Sequence, residues 1–481
     1  MLFNSLEFLV FFPIVTALYF LLPHRWRWLH LLTASCIFYM AFVPVYILIL
    51  FFTIIIDYIA GIWIEGTADK RRQKRFLILS LIANIGVLAV FKYYNFFIDN
   101  MNELLMGLNI ATKPMPFLSI LLPIGLSFHT FQAMSYTIEV YRGNQKAERH
   151  FGIYALYVMF YPQLVAGPIE RPQNLLNQFR EKHQFDSQQF LDGLRLMLWG
   201  FFKKLVIADR LSIYVDTVFN QPQNYHYGNL IIATLFFTIQ IYCDFSGYSD
   251  IAIGAARTMG FKLMTNFNRP YFARSIQEFW KRWHISLSTW FKDYVFIPLG
   301  GSRRNLRKTC INISIVFLLS GLWHGANWTF IAWGALHAFF MVCYLTYKHY
   351  DKKQNASTGF SFISIGFTFL LVALAWIFFR ANNVADAFLM VKHIVTGYSG
   401  VPFQMVLKNV ANNYSIVFTN AGLIVSGLMI ALMFLLEKKL PSNLFVMNKK
   451  PVTDVAFCSV ILSLIILFGV FQNQSFIYFQ F

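Results

Sequence analysis

Apolar segments recur along the whole chain, with short polar stretches between them. A helix that crosses a bilayer needs ~20 mostly apolar residues. Segments near this length lie at 5–22, 29–43, 45–64, 76–98, 117–138, 229–256, 310–323, 327–347, 360–379, 418–436 and 453–471. The pattern predicts an all-α polytopic membrane protein with about eleven transmembrane helices.

Three stretches depart from this simple pattern. Residues 152–167 are short and interrupted by Pro and Gly, which predicts a re-entrant segment covered by protein. The apolar stretch 186–216 carries Lys203, Lys204 and Arg210, so we expect this helix inside the bundle or at an interface. The polar stretch 380–416 is the largest candidate loop.

The segment 275–296 has the periodicity of one amphipathic helix. Ser275 and Glu278 form a capping box that predicts its start, and Pro298 follows its end. At ~100° per residue, one face collects the apolar positions Ile276, Phe279, Trp280, Trp283, Leu287, Trp290, Phe291 and Tyr294, and the other collects Lys281, Arg282, Thr289, Lys292 and Asp293. Such a helix suits a membrane surface. His284 lies at the edge of the aromatic face, near Gln277 and Ser288.

A second histidine, His324, falls in a turn between two spans. The basic loops 302–308 and 348–353 are expected on the cytoplasmic side, so the intervening chain must cross outward and return. This places His324 at membrane depth or near the far interface, where an ionisable group is costly and indicates function. Gly321 and Gly325 permit close approach of backbone or substrate. Asn327 shares the face of His324 if the turn is helical.

Composition and charge support a membrane protein and exclude other classes. The chain is 57% hydrophobic and 13% charged, against ~25% charged in soluble proteins. The net charge of +18 comes from short basic clusters between apolar runs, which is the pattern of cytoplasmic loops and not of a nucleic-acid-binding module. The five scattered cysteines form no C-x-x-C pair, so we expect no metal site.

Known catalytic motifs are missing from the sequence. It contains no G-x-S-x-G, H-E-x-x-H, P-loop or dinucleotide fingerprint. Histidine with neutral polar neighbours remains, and such a residue can act as general base in acyl transfer from a thioester to an alcohol. His324 could equally be structural or pore-lining, and His284 a residue at the membrane interface beside Trp283. His129 and His337 are weaker candidates, and the helical angle from His324 predicts that His337 faces elsewhere.

A carboxylate, Asp244, lies in an apolar helix and is a further candidate for the site. Its alternative role is a helix-packing hydrogen bond to Ser246 or Tyr248.

Several of these stretches together resemble one family. They are YPQLVAGPIERP at 161–172, YCDFSGYSDIAIG at 242–254, NFNRPY at 266–271, EFWKRWHISLSTWFKDYVFIPLGG at 278–301 and GLWHGANWTFIAWGALH at 321–337. They resemble the membrane-bound O-acyltransferase (MBOAT) family. The opening MLFNSLEFLVFFPIVTALYFLLP and the closing SFIYFQF are similar to its alginate O-acetyltransferase membrane-subunit (AlgI-like) branch.

The resemblance implies a single integral-membrane domain over 1–481 with a catalytic core at 118–380, flanking spans at 1–98 and 418–471, and opposed funnels. It implies catalytic roles for His324 and His284. Substrate contacts are then expected from Asn327, Trp323, Trp283, Ser288, Asp244, Lys281 and Arg282.

The resemblance also implies an activity and partners. The protein would reside in the bacterial inner (plasma) membrane among lipids and bind no cofactor. It would take acetyl from acetyl-CoA or another acyl thioester and pass it outward to an exported polysaccharide, often through a periplasmic or extracellular acetyltransferase partner. D-alanyl transfer to teichoic acid from a carrier-protein thioester is one alternative, and acylation of a lipid or protein is another. A non-catalytic transporter or channel is the alternative of another class.

Overall fold

The fold is helical throughout the part of the chain that the computed structural model describes. The described residues are 1–110, 113–119, 123–303, 305–351, 361–402, 405, 420–439, 451–471 and 476–477. No β-strand occurs among them. The α-helices in chain order are α1 (Leu6–Leu21), α2 (His24–Met40), α3 (Ile47–Glu65), α4 (Lys70–Leu88), α5 (Tyr94–Gly107), α6 (Leu126–Arg142), α7 (Phe151–Met159), α8 (Tyr161–Leu164), α9 (Pro172–Gln178), α10 (Ser187–Phe201), α11 (Asp209–Phe219), α12 (Tyr227–Thr258), α13 (Ile276–Arg282), α14 (Ile285–Phe291), α15 (Leu306–His324), α16 (Trp328–Tyr350), α17 (Ser361–Arg380), α18 (Val384–Thr396), α19 (Asn420–Lys439) and α20 (Pro451–Phe468).

Six helical segments of the described residues are long and apolar enough to cross a membrane. They are Pro44–Glu65, Lys70–Gly107, Tyr227–Thr258, Leu306–His324, Trp328–Tyr350 and Phe362–Arg380. Two shorter apolar helices are Leu6–Leu21 and Asp454–Phe468. The multi-pass membrane class predicted from the sequence is thereby supported, whereas the predicted count of eleven spans is not confirmed.

Proline and glycine shift or break two of the predicted segments. Within the span predicted at 117–138, of which residues 120–122 lie outside the described residues, α6 begins at Leu126, after Pro123 and after Gly125, which takes φ 76°. The short stretch 152–167 contains α7 and α8, separated at Phe160. Both helices are buried almost completely, as expected of irregular backbone covered by protein.

Two compact units make up the chain. One comprises Met1–Met197 with Ile251–Met264, and the other comprises Leu198–Asp250 with Thr265–Phe481. Both candidate catalytic histidines, His284 and His324, belong to the second unit. The division into a catalytic core and two flanks remains a prediction.

Close packing of α15 against α16 fixes the turn that carries His324. A Cβ on Gly321 would lie 2.3 Å from the carbonyl oxygen of Phe330, and one on Gly334 would lie 2.4 Å from that of Phe317. Neither distance is possible for real atoms, so only glycine allows the backbones of α15 and α16 to approach this closely at Gly321 and at Gly334. The two helices therefore run antiparallel, and the basic loops before α15 and after α16 lie at the same end of the hairpin.

Replacing Gly334 by alanine is expected to destabilise the protein. The added methyl group pushes α15 away from α16, and overpacking typically costs ~1–3 kcal/mol. The gain in helix propensity of ~1 kcal/mol does not recover this cost. Gly366→Ala is the matched control, because within the described part of the chain no atom beyond its own helix backbone lies within 4 Å of its Cβ position on α17. Thermal unfolding in detergent should show a lower melting temperature for Gly334→Ala alone. Equal melting temperatures would contradict the tight contact.

Candidate active site

His324 is the last residue of α15, and its side chain lies among aromatic rings. The centroid of its imidazole is 4.8 Å from the ring of Trp323, 5.0 Å from that of Trp333 and 5.3 Å from that of Phe379. The residue is 4% exposed. A substrate hydroxyl must therefore reach this imidazole past aromatic side chains. The backbone leaves the helix at Gly325, where φ is −165°.

The turn after His324 is not helical, which changes the expected place of Asn327. Asn327 is the N-cap of α16, where its side-chain oxygen accepts a hydrogen bond from the backbone N–H of Thr329 at 3.0 Å. Its amide nitrogen donates to the carbonyl of Asn382 at 3.1 Å. The condition under which Asn327 would share the face of His324, a helical turn, is therefore not met. The backbone N–H groups of the first helical turn have no partner within the helix, and an asparagine just before the helix accepts a hydrogen bond from one of them.

His284 occupies a break in the segment predicted as one amphipathic helix. α13 ends at Arg282 and α14 begins at Ile285. His284 adopts φ 42° and ψ 56°, a left-handed conformation that is strained for a residue other than glycine. The capping prediction holds at Ser275, whose hydroxyl accepts from the N–H of Glu278 at 3.2 Å. The single-helix prediction is wrong because tertiary hydrogen bonds replace the helical ones at the break.

One asparagine, Asn266, supplies those tertiary hydrogen bonds. Its side-chain oxygen lies 3.0 Å from Nδ1 of His284 and accepts from the hydroxyl of Ser286 at 2.9 Å. Its main-chain carbonyl accepts from the N–H of Ile285 at 2.8 Å. The backbone N–H of Ser286 also donates to the side-chain oxygen of Asn266, at 3.3 Å, so the first two N–H groups of α14 are bonded outside the helix. In the sequence, Asn266 is part of the motif NFNRPY, and nothing in that local pattern indicates its bond to His284.

The indole of Trp323 lies close to both candidate histidines. Its centroid is 6.2 Å from the imidazole of His284 and 4.8 Å from that of His324. Two residues that are forty positions apart in the sequence thus lie near the same ring. The structure therefore brings His284, Trp323 and His324 together, as the sequence predicts for a common site.

Trp283 and Ser288 support the break. Trp283 is buried, with its ring 5.5 Å from Phe279 and 5.1 Å from Trp376. The hydroxyl of Ser288 donates to the carbonyl of Trp283 at 3.2 Å. Both residues therefore hold the chain around His284 through packing and a backbone hydrogen bond. The alternative in which His284 is an interfacial residue does not fit, because its side chain is only 1% exposed.

The basic residues of this region differ in their surroundings. Arg282 is ion-paired with Glu278 at 2.6 Å, which ties it to its own helix. Lys281 and Lys292 are exposed. The two lysines, more than Arg282, therefore present positive charge to a ligand.

Asp244 belongs to a buried ionic cluster. Its carboxylate is 2.5 Å from Nζ of Lys204 and accepts from the backbone N–H of Ile477 at 2.7 Å. Lys204 also pairs with Asp209 at 2.7 Å. The hydroxyl of Ser246, an expected partner of Asp244, instead accepts from Lys203 at 2.9 Å. These contacts give Asp244 a packing role, and they confirm that Lys203 and Lys204 lie inside the protein.

His337 lies nearer to His324 than the sequence predicts. The ring of Trp333 is 5.0 Å from His324 and 4.9 Å from His337. One continuous helix would place the two histidines on different faces, whereas the chain reverses direction between α15 and α16. Nδ1 of His337 accepts a hydrogen bond from the indole N–H of Trp280 at 3.3 Å. His129 lies in the first unit, with its ring 3.4 Å from the hydroxyl of Thr53.

Comparison with known proteins agrees with the sequence resemblance. The family model described as "MBOAT, membrane-bound O-acyltransferase family" matches residues 149–385, which include both histidines. The "Probable alginate O-acetylase AlgI" of Azotobacter vinelandii is 42% identical over 397 residues, covering 81% of this chain and 77% of that protein.

Two further relatives have different names. The peptidoglycan O-acetyltransferase of Helicobacter pylori is 34% identical over 528 aligned residues, covering 100% of this chain and 98% of the relative. The teichoic acid D-alanyltransferase of Bacillus subtilis is 28% identical over 277 residues, covering 54% of this chain and 69% of the relative. The chain therefore belongs to the membrane-bound O-acyltransferase family and is an acyltransferase.

Proposed function

We propose that this protein transfers an acetyl group from a cytoplasmic thioester, acetyl-CoA, to the hydroxyl of an exported polysaccharide, directly or through a periplasmic acetyltransferase partner. The observation that carries the proposal is the packing of His284 and His324 against the same indole, that of Trp323. The alginate and peptidoglycan O-acetyltransferases among its relatives support acetyl as the group and a polysaccharide as the acceptor. The location would be the bacterial inner membrane.

His324 would act as the general base. It would take the proton of the acceptor hydroxyl while the oxygen attacks the thioester carbonyl. The new C–O bond forms, the C–S bond breaks, and the thiolate leaves and is protonated. General bases of this kind contribute typically ~10²–10⁴-fold to the rate. His284, which packs near the same indole, would position the thioester or polarise its surroundings.

Lys281 and Lys292 would attract the donor. Both are exposed on the segment that carries His284. Their ammonium groups suit the phosphates of coenzyme A, although anionic lipid headgroups present the same chemistry. Arg282 would contribute less, since Glu278 already neutralises its charge.

D-alanyl transfer is a second candidate function. The similarity to a teichoic acid D-alanyltransferase favours it, but at lower identity and over a smaller share of the chain than the acetyltransferases. It would use a carrier-protein thioester as donor. The transporter or channel without chemistry is not supported, because the chain is an acyltransferase.

A sided assay tests the proposed function. Inverted membrane vesicles expose the cytoplasmic face, and they are loaded with acceptor glycan, with and without a periplasmic partner. Labelled acetyl-CoA is then added outside. We expect label on the glycan in the lumen, and none when right-side-out vesicles receive the same donor.

The controls of this assay separate the candidates. Vesicles carrying His324→Gln should give no labelled glycan. A D-alanyl carrier-protein thioester replaces acetyl-CoA in a parallel arm, and label transferred from that donor alone would favour D-alanylation. Transfer that requires donor and glycan on the same side would contradict passage of the acyl group across the membrane.

A further inference from the structure

The hydrogen bonds of Asn266 fix which nitrogen of His284 carries the proton. The side-chain oxygen of Asn266 faces the backbone N–H of Ser286 at 3.3 Å. A backbone N–H can only donate, so the atom opposite it must be the oxygen of the amide. The amide nitrogen points the other way and donates to the hydroxyl of Ser249 at 3.1 Å. The orientation of this amide is therefore determined by its neighbours.

An amide oxygen accepts hydrogen bonds and cannot donate them. Nδ1 of His284 lies 3.0 Å from that oxygen, so Nδ1 must bear the hydrogen. A neutral imidazole carries one N–H, which leaves the lone pair on Nε2. Burial lowers the pKa of His284 below its usual value, so the ring is neutral at pH 7. A neutral His284 thus accepts through Nε2 and has no second N–H to donate.

The left-handed backbone of His284 supports a functional role for its contact with Asn266. Left-handed conformations of residues other than glycine cost free energy and collect at functional sites. The strained φ of 42° turns the imidazole towards Asn266 and the rings of Phe245 and Trp323. Asn266 itself is fully buried. A buried amide that stabilises a strained histidine is typical of a supported site.

We propose that Asn266 is a positioning residue, which holds His284 in the Nδ1–H tautomer so that Nε2 accepts a hydrogen bond from the acyl donor. This inference rests on the proposed function of His284 and deepens it. His284 then orients the donor by accepting from one of its N–H or O–H groups. It does not polarise the thioester carbonyl, because that would need an N–H at Nε2.

The pH dependence of catalysis distinguishes this role from a merely structural one. Protonation of His284 would turn Nε2 into a donor, so donor binding should fail below the pKa of His284. In Asn266→Asp, the carboxylate keeps every accepted hydrogen bond and favours the imidazolium. The pKa of His284 therefore rises, and the acid limb of kcat/KM moves to higher pH.

Other charged groups near His284 do not produce that shift, because they are unchanged in the variant. Its ring contacts include Phe245, Phe267 and Trp323. The titratable groups on the elements that pack against it include Tyr242, Cys243, Asp244 (paired with Lys204), Tyr248 and Asp250 (paired with Lys203) on α12, Arg269 in the segment of Asn266, Lys281 and Arg282 (paired with Glu278) on α13, and His324 on α15.

The experiment measures kcat/KM for acetyl-CoA against pH, with the full chain in nanodiscs and a saturating acceptor glycan. Asn266→Asp should move the acid limb up by about one pH unit or more, as expected for an opposite charge at this distance. Asn268→Asp is the matched control, because it adds the same charge two residues away at an exposed position. It should leave the limb in place. An unmoved limb in Asn266→Asp would overturn the inference.

If the Asn266→Asp protein does not accumulate in a folded form, a second variant provides the test. Asn266→Ala removes the oxygen that accepts from Nδ1 of His284, so the imidazole is no longer held in one tautomer. We therefore expect kcat/KM for acetyl-CoA to fall about tenfold or more, as is usual for lost supporting hydrogen bonds. Unchanged kcat/KM would also overturn the inference. Failure of the proposed function looks different: the wild type would show no turnover of acetyl-CoA, or His284→Asn would be fully active.

Discussion

Replacing His324 by glutamine should abolish acyl transfer while leaving the protein folded. Glutamine keeps a polar side chain of similar length, but it cannot take a proton from a hydroxyl at neutral pH. Loss of a general base lowers the rate typically ~10²–10⁴-fold. The measurement is labelled acetyl transferred to glycan per folded protein, with the amount of folded protein determined by gel filtration in detergent.

His337→Gln is the matched control for this experiment. Both histidines are buried, and each imidazole packs against the ring of Trp333. Loss of the hydrogen bond from Trp280 should lower the melting temperature of His337→Gln, whereas its turnover per folded molecule should stay within about fivefold of the wild type, since it removes no base. If the two variants lose turnover equally at equal stability, packing and not base catalysis explains the importance of His324.

Local signals in the sequence predict the elements of this fold well. The basic loops around 302–308 and 348–353 predict the hairpin of α15 and α16, because charge and apolar length together determine membrane topology. The capping residue Ser275 predicts the start of α13, because a side chain three residues from its partner acts locally. Both features can be read from residues that are close together in the sequence.

Contacts between distant residues are what the sequence does not reveal. The periodicity of 275–296 continues without interruption through His284, yet Asn266 breaks the helix from eighteen residues away. The role of Asp244 depends likewise on Lys204, forty residues earlier. A polar residue in an apolar run indicates that a partner exists, because burial without one is costly. It does not indicate which residue the partner is.

His284 is found from a local sequence motif, but its surroundings depend on distant residues. Replacing it by asparagine is expected to cause the second large loss of activity. Asparagine tolerates the left-handed conformation better than most residues do, so the break between α13 and α14 should persist. The variant lacks the imidazole that accepts from the donor. We expect kcat/KM for acetyl-CoA to fall about 10²-fold, in the range of acid–base and positioning residues, with a melting temperature equal to or above that of the wild type.

Arg269→Asn is the control that distinguishes the effect of losing the imidazole from the effect of relieving backbone strain. Arg269 is also left-handed, with φ 48°, and lies in the segment of Asn266. Asparagine relieves strain there without removing an imidazole, so the activity of this variant should remain near that of the wild type. Strain at His284 is maintained because the imidazole is needed where the strained backbone places it. A fully active His284→Asn protein of raised stability would show that the strain has no catalytic purpose, and His324 would then be the sole histidine required for transfer.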